Sequence, residues 1–309
     1  MAANSYTTSD LISLIKLLAH VPQGNLTFTP ANILTLADLE LRTSIAKQLK
    51  EADEGYFQTI LEYNQDDSGE YRIPGSAIAA TAYSIQIRNG QALWPVSRQE
   101  VAEMTTTTFP STGNWTYFIR GNTLVMLPAQ FSGVLRITYE RRPSKLVPLT
   151  SCGLISAING QVITVGSVPS GWVVGDSIDL QAAQPQFDIL GNCEITDITG
   201  TDITLDGDLG DLAVGDYLCL EDQTCVPQVP VEFHQLLAQR VVCKIYELQG
   251  YLDKMKAAQA KLKEMEDALT ALITPRTQAA PKVINPSWGG RKPGNAWARF
   301  NPPASSHGS

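Results

Sequence analysis

His20, His234 and His307 are the chain's three imidazoles, and nothing in their spacing assembles a catalytic set. Nucleophilic catalysis wants a Ser or Cys beside a His that a third group orients. The sequence offers no G-x-S-x-G elbow, no H-E-x-x-H helix and no P-loop. His20 falls at a predicted helix end, His234 beside an apolar stripe and His307 near the chain's end, so each reads as structural or solvated. The five cysteines, Cys152, Cys193, Cys219, Cys225 and Cys243, form no C-x-x-C pair. An odd count in a chain of this size predicts reduced thiols in a cytosolic setting. Asp206, Asp208, Asp211 and Asp216 cluster among glycines. Spaced carboxylates on a flexible loop suit Ca2+, but Asp-Gly and Gly-Asp pairs are also ordinary turn chemistry, which is the expectation here. Arg141-Arg142 offers two cations to a nucleic acid or an acidic partner, although such a pair at a strand end is more often solvated or paired within its own chain. Glu194 and Glu221 are isolated and make no glycosidase pair. These residues predict no catalytic, cofactor or metal site, and a role other than catalysis.

Apolar spacing then shows which elements carry these side chains. Leu11, Leu14, Ile15 and Leu18 follow a helical stripe behind a cap at Ser9 or Asp10, and Ile12 and Leu17 widen it. Pro22 to Gly24 stops this helix. A second helix starts at Thr29 with Pro30 in its first turn, buries Leu34, Ala37, Leu41, Ile45 and Leu49, and ends near Gly55. Tyr83, Ile85 and Ile87 alternate before Asn89-Gly90, a hairpin signal, with Trp94-Pro95 on the return strand. A second hairpin is predicted about Gly121-Asn122, and Val134 to Tyr139 alternates again.

Residues 151–222 contain an internal repeat at an offset of about 40. Ile155, Ile158, Gly160, Ile163, Thr164, Val174, Gly175, Asp176 and Leu180 recur as Ile195, Ile198, Gly200, Ile203, Thr204, Val214, Gly215, Asp216 and Leu220. Two such units can bury one another's apolar faces as a small barrel or sandwich. From Phe233 to Leu272 apolar residues step by threes and fours, predicting a helix over 231–273 that would run roughly 65 Å if continuous. Gly250 is the point where it would break or kink. The predicted fold class is α+β: a helical bundle with a long C-terminal helix, a β-rich middle region and an inserted two-repeat small β-barrel or sandwich. Its regions are N-terminal helices over 1–55, packing with the C-terminal helix; a β-rich region over 56–150; the repeat domain over 151–222; the long helix over 223–274; and an extended basic arm over 275–309.

A hydrophobic share of 43% is enough for a packed core. The net charge of −8 excludes a uniformly basic nucleic-acid-binding surface. Five cations and no acid follow Pro275, and removing that +5 leaves −13 on residues 1–274. Arg276, Lys282, Trp288, Arg291, Lys292, Trp297, Arg299 and Phe300 interleave cations with aromatics, the residue types that anchor docked segments, so this arm is the predicted partner-binding site. The N-terminus shows no basic segment followed by an apolar run, so no signal peptide is expected. The longest apolar stretch, Leu11 to Val21, is interrupted by Lys16 and His20 and is too short to span a bilayer.

Two stretches resemble tailed-bacteriophage head–tail adaptor (connector) proteins. One is Tyr71-Arg72-Ile73-Pro74-Gly75-Ser76-Ala77-Ile78, shortly before Trp94-Pro95; the other is Pro227-Gln228-Val229-Pro230-Val231-Glu232-Phe233-His234-Gln235-Leu236-Leu237-Ala238-Gln239-Arg240, with the Ala/Lys/Glu-rich helix and Thr274-Pro275-Arg276 behind it. The likeness covers most of residues 30–285, element order included. Similar chains usually carry Ser-Arg after the Ile-Pro pair, where Gly75-Ser76 stand here. The resemblance implies a virion protein built in the host cytoplasm: a ring of about a dozen copies beneath the portal, meeting a tail or nozzle protein and letting DNA pass without reading it. A receptor- or sugar-binding tail component, with the repeat domain as its head, is the alternative.

Overall fold

Helix α1 (Thr8–Leu18) opens the fold two residues earlier than a cap at Ser9, and three earlier than one at Asp10, would allow, because Thr7 is the cap. The Asp10 carboxylate instead accepts from the Thr7 backbone N–H (2.9 Å) and hydroxyl (2.8 Å), closing the first turn. Helix α2 (Pro30–Glu40) starts as predicted, with the Thr29 hydroxyl accepting from the Asn32 N–H at 3.3 Å. It passes through a π turn (Leu41–Ile45) into α3 (Ala46–Ala52). That turn has a cause in the stripe. Ala37, Leu41, Ile45 and Leu49 step by fours, which in a 3.6-residue helix slips the stripe by about 40° each time. One wider turn takes up the slip, and all four stay buried.

The computed structural model describes residues 6–273, apart from 23, 54, 66–67, 99–114, 184–188 and 208. After the first helices come two four-stranded sheets. The first is ordered β1 (Gln58–Asn64), β8 (Val134–Arg141), β3 (Ala77–Asn89), β4 (Ala92–Pro95); the second is β2 (Glu70–Arg72), β7 (Thr123–Leu127), β6 (Thr116–Arg120), β5 (Ser97–Arg98). They share one core that includes Tyr71, Ile85, Ile87, Leu124, Met126, Leu135 and Ile137. Both predicted hairpins form. The first turns on Gly90-Gln91, one residue past the Asn-Gly pair, since Asn89 already pairs with Ala92. Gly90, at φ 60°, takes the first loop position, the place a two-residue turn most needs glycine.

The repeat closes into a six-stranded barrel. Its order is β10 (Gly153–Asn159), β11 (Val162–Val165), β14 (Asp202–Asp206), β13 (Ile189–Thr199), β12 (Ser177–Gln181), β15 (Tyr217–Leu220), back to β10. Repeat-related positions fill it: Ile155 with Ile195, Ile163 with Ile203, Val165 with Leu205, Ile178 with Leu218. The two units also exchange turns. Gly175 donates to the Ile195 carbonyl (2.8 Å), and Gly215 donates to that of Ile155 (3.0 Å). Each unit therefore completes the other, and neither has a closed core alone. Short strand β16 (Gln223–Thr224) leaves the barrel and runs parallel to β9 (Lys145–Leu146).

The C-terminal helix departs from expectation. It is a pair, α4 (Val231–Gln249) and α5 (Leu252–Ile273), not one rod over 223–274. Gly250 sits at φ 72°, with its N–H on the Glu247 carbonyl and that of Tyr251 on the Tyr246 carbonyl, a Schellman stop. Helix α5 folds back along α4: the Gln239 side chain donates to the Ala258 carbonyl at 3.1 Å, and Arg240 pairs with Glu266. The α5 stripe of Met255, Ala258, Leu262, Met265 and Leu269 thus packs into the same core as α1, α2 and α4. Most of the surface that a lone rod would have offered to other chains is covered from within. Residues through Ile273 make one compact unit. Among the described residues no helix is long and apolar enough to cross a membrane.

Candidate partner interface

The fold-back leaves its own end uncovered. Leu248, Tyr251 and Leu252 flank the Gly250 stop, and Leu17 and Leu26 close and follow α1; these five are from 50% (Tyr251) to 90% (Leu26) exposed. Two observations put them at one end of the helices. The Tyr246 hydroxyl donates to the Leu18 carbonyl at 3.3 Å, tying the last turn of α4 to that of α1. An open groove of about 540 Å³ joins Leu248 to Asn25, Phe28, Asn32 and Leu36. A second groove of about 330 Å³ runs between Leu18, His20, Val242 and Tyr246 on one side and Lys254 and Lys261 on the other. Lys254 lies over the Tyr251 ring, 4.8 Å from its centroid. Apolar side chains rimmed by lysines are the composition of a protein-binding patch.

Charge is sharply divided. Residues 151–222 hold twelve acids and no Lys, Arg or His, so the remainder of the chain, against a total of −8, sums to +4. The acidic excess belongs to the barrel segment alone. Three of its carboxylates are committed to backbone N–H groups, while Asp211 is exposed. Asp176 accepts from the Val173 N–H (2.8 Å) and Asp216 from that of Ala213 (2.9 Å), the same bond in both repeats. Asp206 accepts from the Glu194 N–H at 3.1 Å. Asp208 lies outside the described residues.

Arg141 has a use within the chain. Reaching from the end of β8, it meets Asp179 of the barrel strand β12 at 2.6 Å and Asp222 at 3.1 Å. Asp179 also accepts from the Asn192 side chain and the Asp222 N–H. Burial pushes the Asp179 carboxyl upward, and it outweighs the opposing pull of Arg141. The joint therefore confines a charge pair in a dry place between the sheets and the barrel. Arg142 is exposed. His234 is buried, stacked on Tyr6 at 4.1 Å and hydrogen-bonded to the Val229 carbonyl at 3.2 Å.

The predicted arm residues, Arg276, Lys282, Trp288, Arg291, Lys292, Trp297, Arg299 and Phe300, all lie outside the described residues. Spacing arguments missed two features. One is the apolar end, which exists only because α5 turns back at Gly250. The other is the convergence of Cys152, Cys219 and Cys225, buried together at the root of the barrel. A signal for it was present: Cys152 precedes the first repeat unit, Cys219 lies at the end of the second and Cys225 shortly follows it, so a repeat that closes on itself brings these flanks together. No protein-family model and no curated protein matches the chain.

Proposed function

We propose that this chain is a structural virion protein, a ring-forming head-to-tail adaptor that joins a portal to a tail and extends the DNA exit channel. The observation that carries this reading is the uncovered apolar end formed by Leu17, Leu26, Leu248, Tyr251 and Leu252. Exposed side chains of this size, with Lys254 over the Tyr251 ring, favour burial against a neighbour. Here the neighbour is the next copy: the helices act as one bundle whose end packs heterologously on the adjacent protomer, a contact that closes into a ring of about a dozen chains. The arm over 275–309 reaches the portal through its cations and aromatics. A barrel segment without a single cation suits the channel side, since like charge lets DNA slide by without adhering or being read. Exposed Val173, Val174 and Val214, on repeat-related turns of the barrel, offer the tail or nozzle protein an apolar foothold. The protein is made in the host cytoplasm and ends at the head–tail interface of the virion.

Negative-stain microscopy of the purified chain, alone and mixed with portal, tests this. Closed rings on the portal are expected, and a Leu248→Asp/Leu252→Asp variant should stay folded by circular dichroism yet remain monomeric. Wild-type chains that stay monomeric and ignore the portal would refute it. A receptor- or sugar-binding head draws less support, because Trp172 and Tyr217, two aromatics it would use, are buried in the barrel's packing. Removing residues 275–309 separates the two readings: an adaptor loses portal binding, whereas a receptor binder keeps its ligand.

A further inference from the structure

We infer that Cys152, Cys219 and Cys225 form a binding site for one thiophilic metal ion, zinc(II) or copper(I), at the neck where the barrel leaves the body. Their three sulfurs all lie within 4.8 Å of one another. Cys152 is 6% exposed and the other two are fully buried. The surroundings are Val147, Ala183, Tyr217 and Val226, an apolar shell that excludes competing water.

The three come from separate segments that the fold holds in place. Cys152 ends a short 3-10 turn (Leu149–Ser151) and leads into β10, the first barrel strand. Cys219 belongs to β15, the last. Cys225 follows β16, and its carbonyl accepts from the Thr8 N–H at 2.8 Å, so the start of α1 seals the cluster. The Thr224 hydroxyl fixes the next turn by bonding to both the carbonyl and the N–H of Val226. A metal here would tie the barrel's first and last strands to the body.

A buried cysteine can serve as a small apolar residue, and Cys193 and Cys243 are packed within the barrel core and the helical core. Convergence sets the other three apart. A metal about 2.3 Å from each sulfur places the sulfurs roughly 3.8–4.0 Å apart. Cys152 and Cys219, now 2.8 Å apart, part by about 1 Å to share it. The thiolate is the ligand form, so metal binding here releases protons; within the cluster, bonds from Cys152 and then Cys219 lower Cys225. Burial pushes Cys219 upward. Cys152 is also raised, the pull of its bond to Cys219 being outweighed by its bond to Cys225 and by burial. Among the described residues no imidazole or carboxylate joins the three sulfurs. Three soft ligands suit copper(I) directly, while zinc(II) would add one outside ligand to reach four.

The full-length chain, reduced and freed of metal under anaerobic conditions, is titrated separately with zinc(II) and with copper(I) against a competing chromophoric chelator. One equivalent bound per chain by either ion is expected. Cobalt(II) should bind with thiolate-to-metal charge-transfer absorption. Binding should weaken at least tenfold in Cys225→Ser and stay unchanged in Cys193→Ser, with circular dichroism confirming that each variant is folded. The wild-type titration decides the matter even if a variant misfolds. Absence of stoichiometric binding by the fully reduced protein overturns the inference. So does a Cys152–Cys219 disulfide found by mass spectrometry in protein whose thiols were blocked at lysis, or equal loss of binding in Cys193→Ser.

Discussion

Buried His234 should give the protein a measurable pH response. Burial depresses its pKa from 6.5 to about 4. As pH falls below about 6.5 the unfolded chain gains a proton there, whereas the folded chain does not until about pH 4. Its contribution is therefore fully present above pH 6.5 and is lost through that window, by about 3 kcal/mol at the lower end. His234→Gln keeps a donor for the Val229 carbonyl and removes the titration. Urea midpoints measured from pH 7 down to pH 4 should fall less steeply in the variant; equal slopes would place the sensitivity elsewhere. That His234 would be structural could be read from its place beside an apolar stripe. Its partner Tyr6, more than two hundred residues away in sequence, could not.

At the scale of elements, the Gly250 stop decides most. A Cβ at this position meets nothing within 4 Å, so Gly250→Ala tests backbone conformation free of steric clash. The left-handed turn should then lose about 1 kcal/mol. Urea unfolding should show that loss with an unchanged m-value. A loss below a few tenths would mean the turn does not depend on glycine's freedom. The π turn over Leu41–Ile45 carries a related lesson. The stripe of fours was visible in the sequence, and its geometric consequence, one widened turn, follows from 3.6-residue periodicity.

For the whole molecule, the important contacts are those that join its parts. Arg141 and Asp179 bind the sheets to the barrel through a buried pair, with Asp179 fully enclosed. Arg141→Ala strands that carboxylate and should cost about 3–5 kcal/mol. Limited proteolysis should then cut near residues 142–153 and 221–226 much faster than in the wild type, and an unaltered cleavage pattern would show the joint to be dispensable. The thiol cluster gathers residues from both ends of the barrel segment, Cys152 before it and Cys219 and Cys225 at and after its last strand. The apolar end is the molecule's outward counterpart, and its coverage in the proposed ring, unlike that of the α5 stripe, must come from another chain.

The amino-acid order alone determined the helix starts at Thr29-Pro30, the two hairpins, the repeat and the absence of cations from 151–222. All of these are local or periodic properties, written in spacings of two, 3.6 or about forty residues. Tertiary structure alone decided that α5 would lie on α4, that Arg141 would face Asp179, and that Cys152 would meet Cys219 across 67 residues. Those meetings depend on how a barrel closes and which way a chain turns after one glycine. Hydrophobic burial settles both over the whole fold, and no short window of sequence contains it.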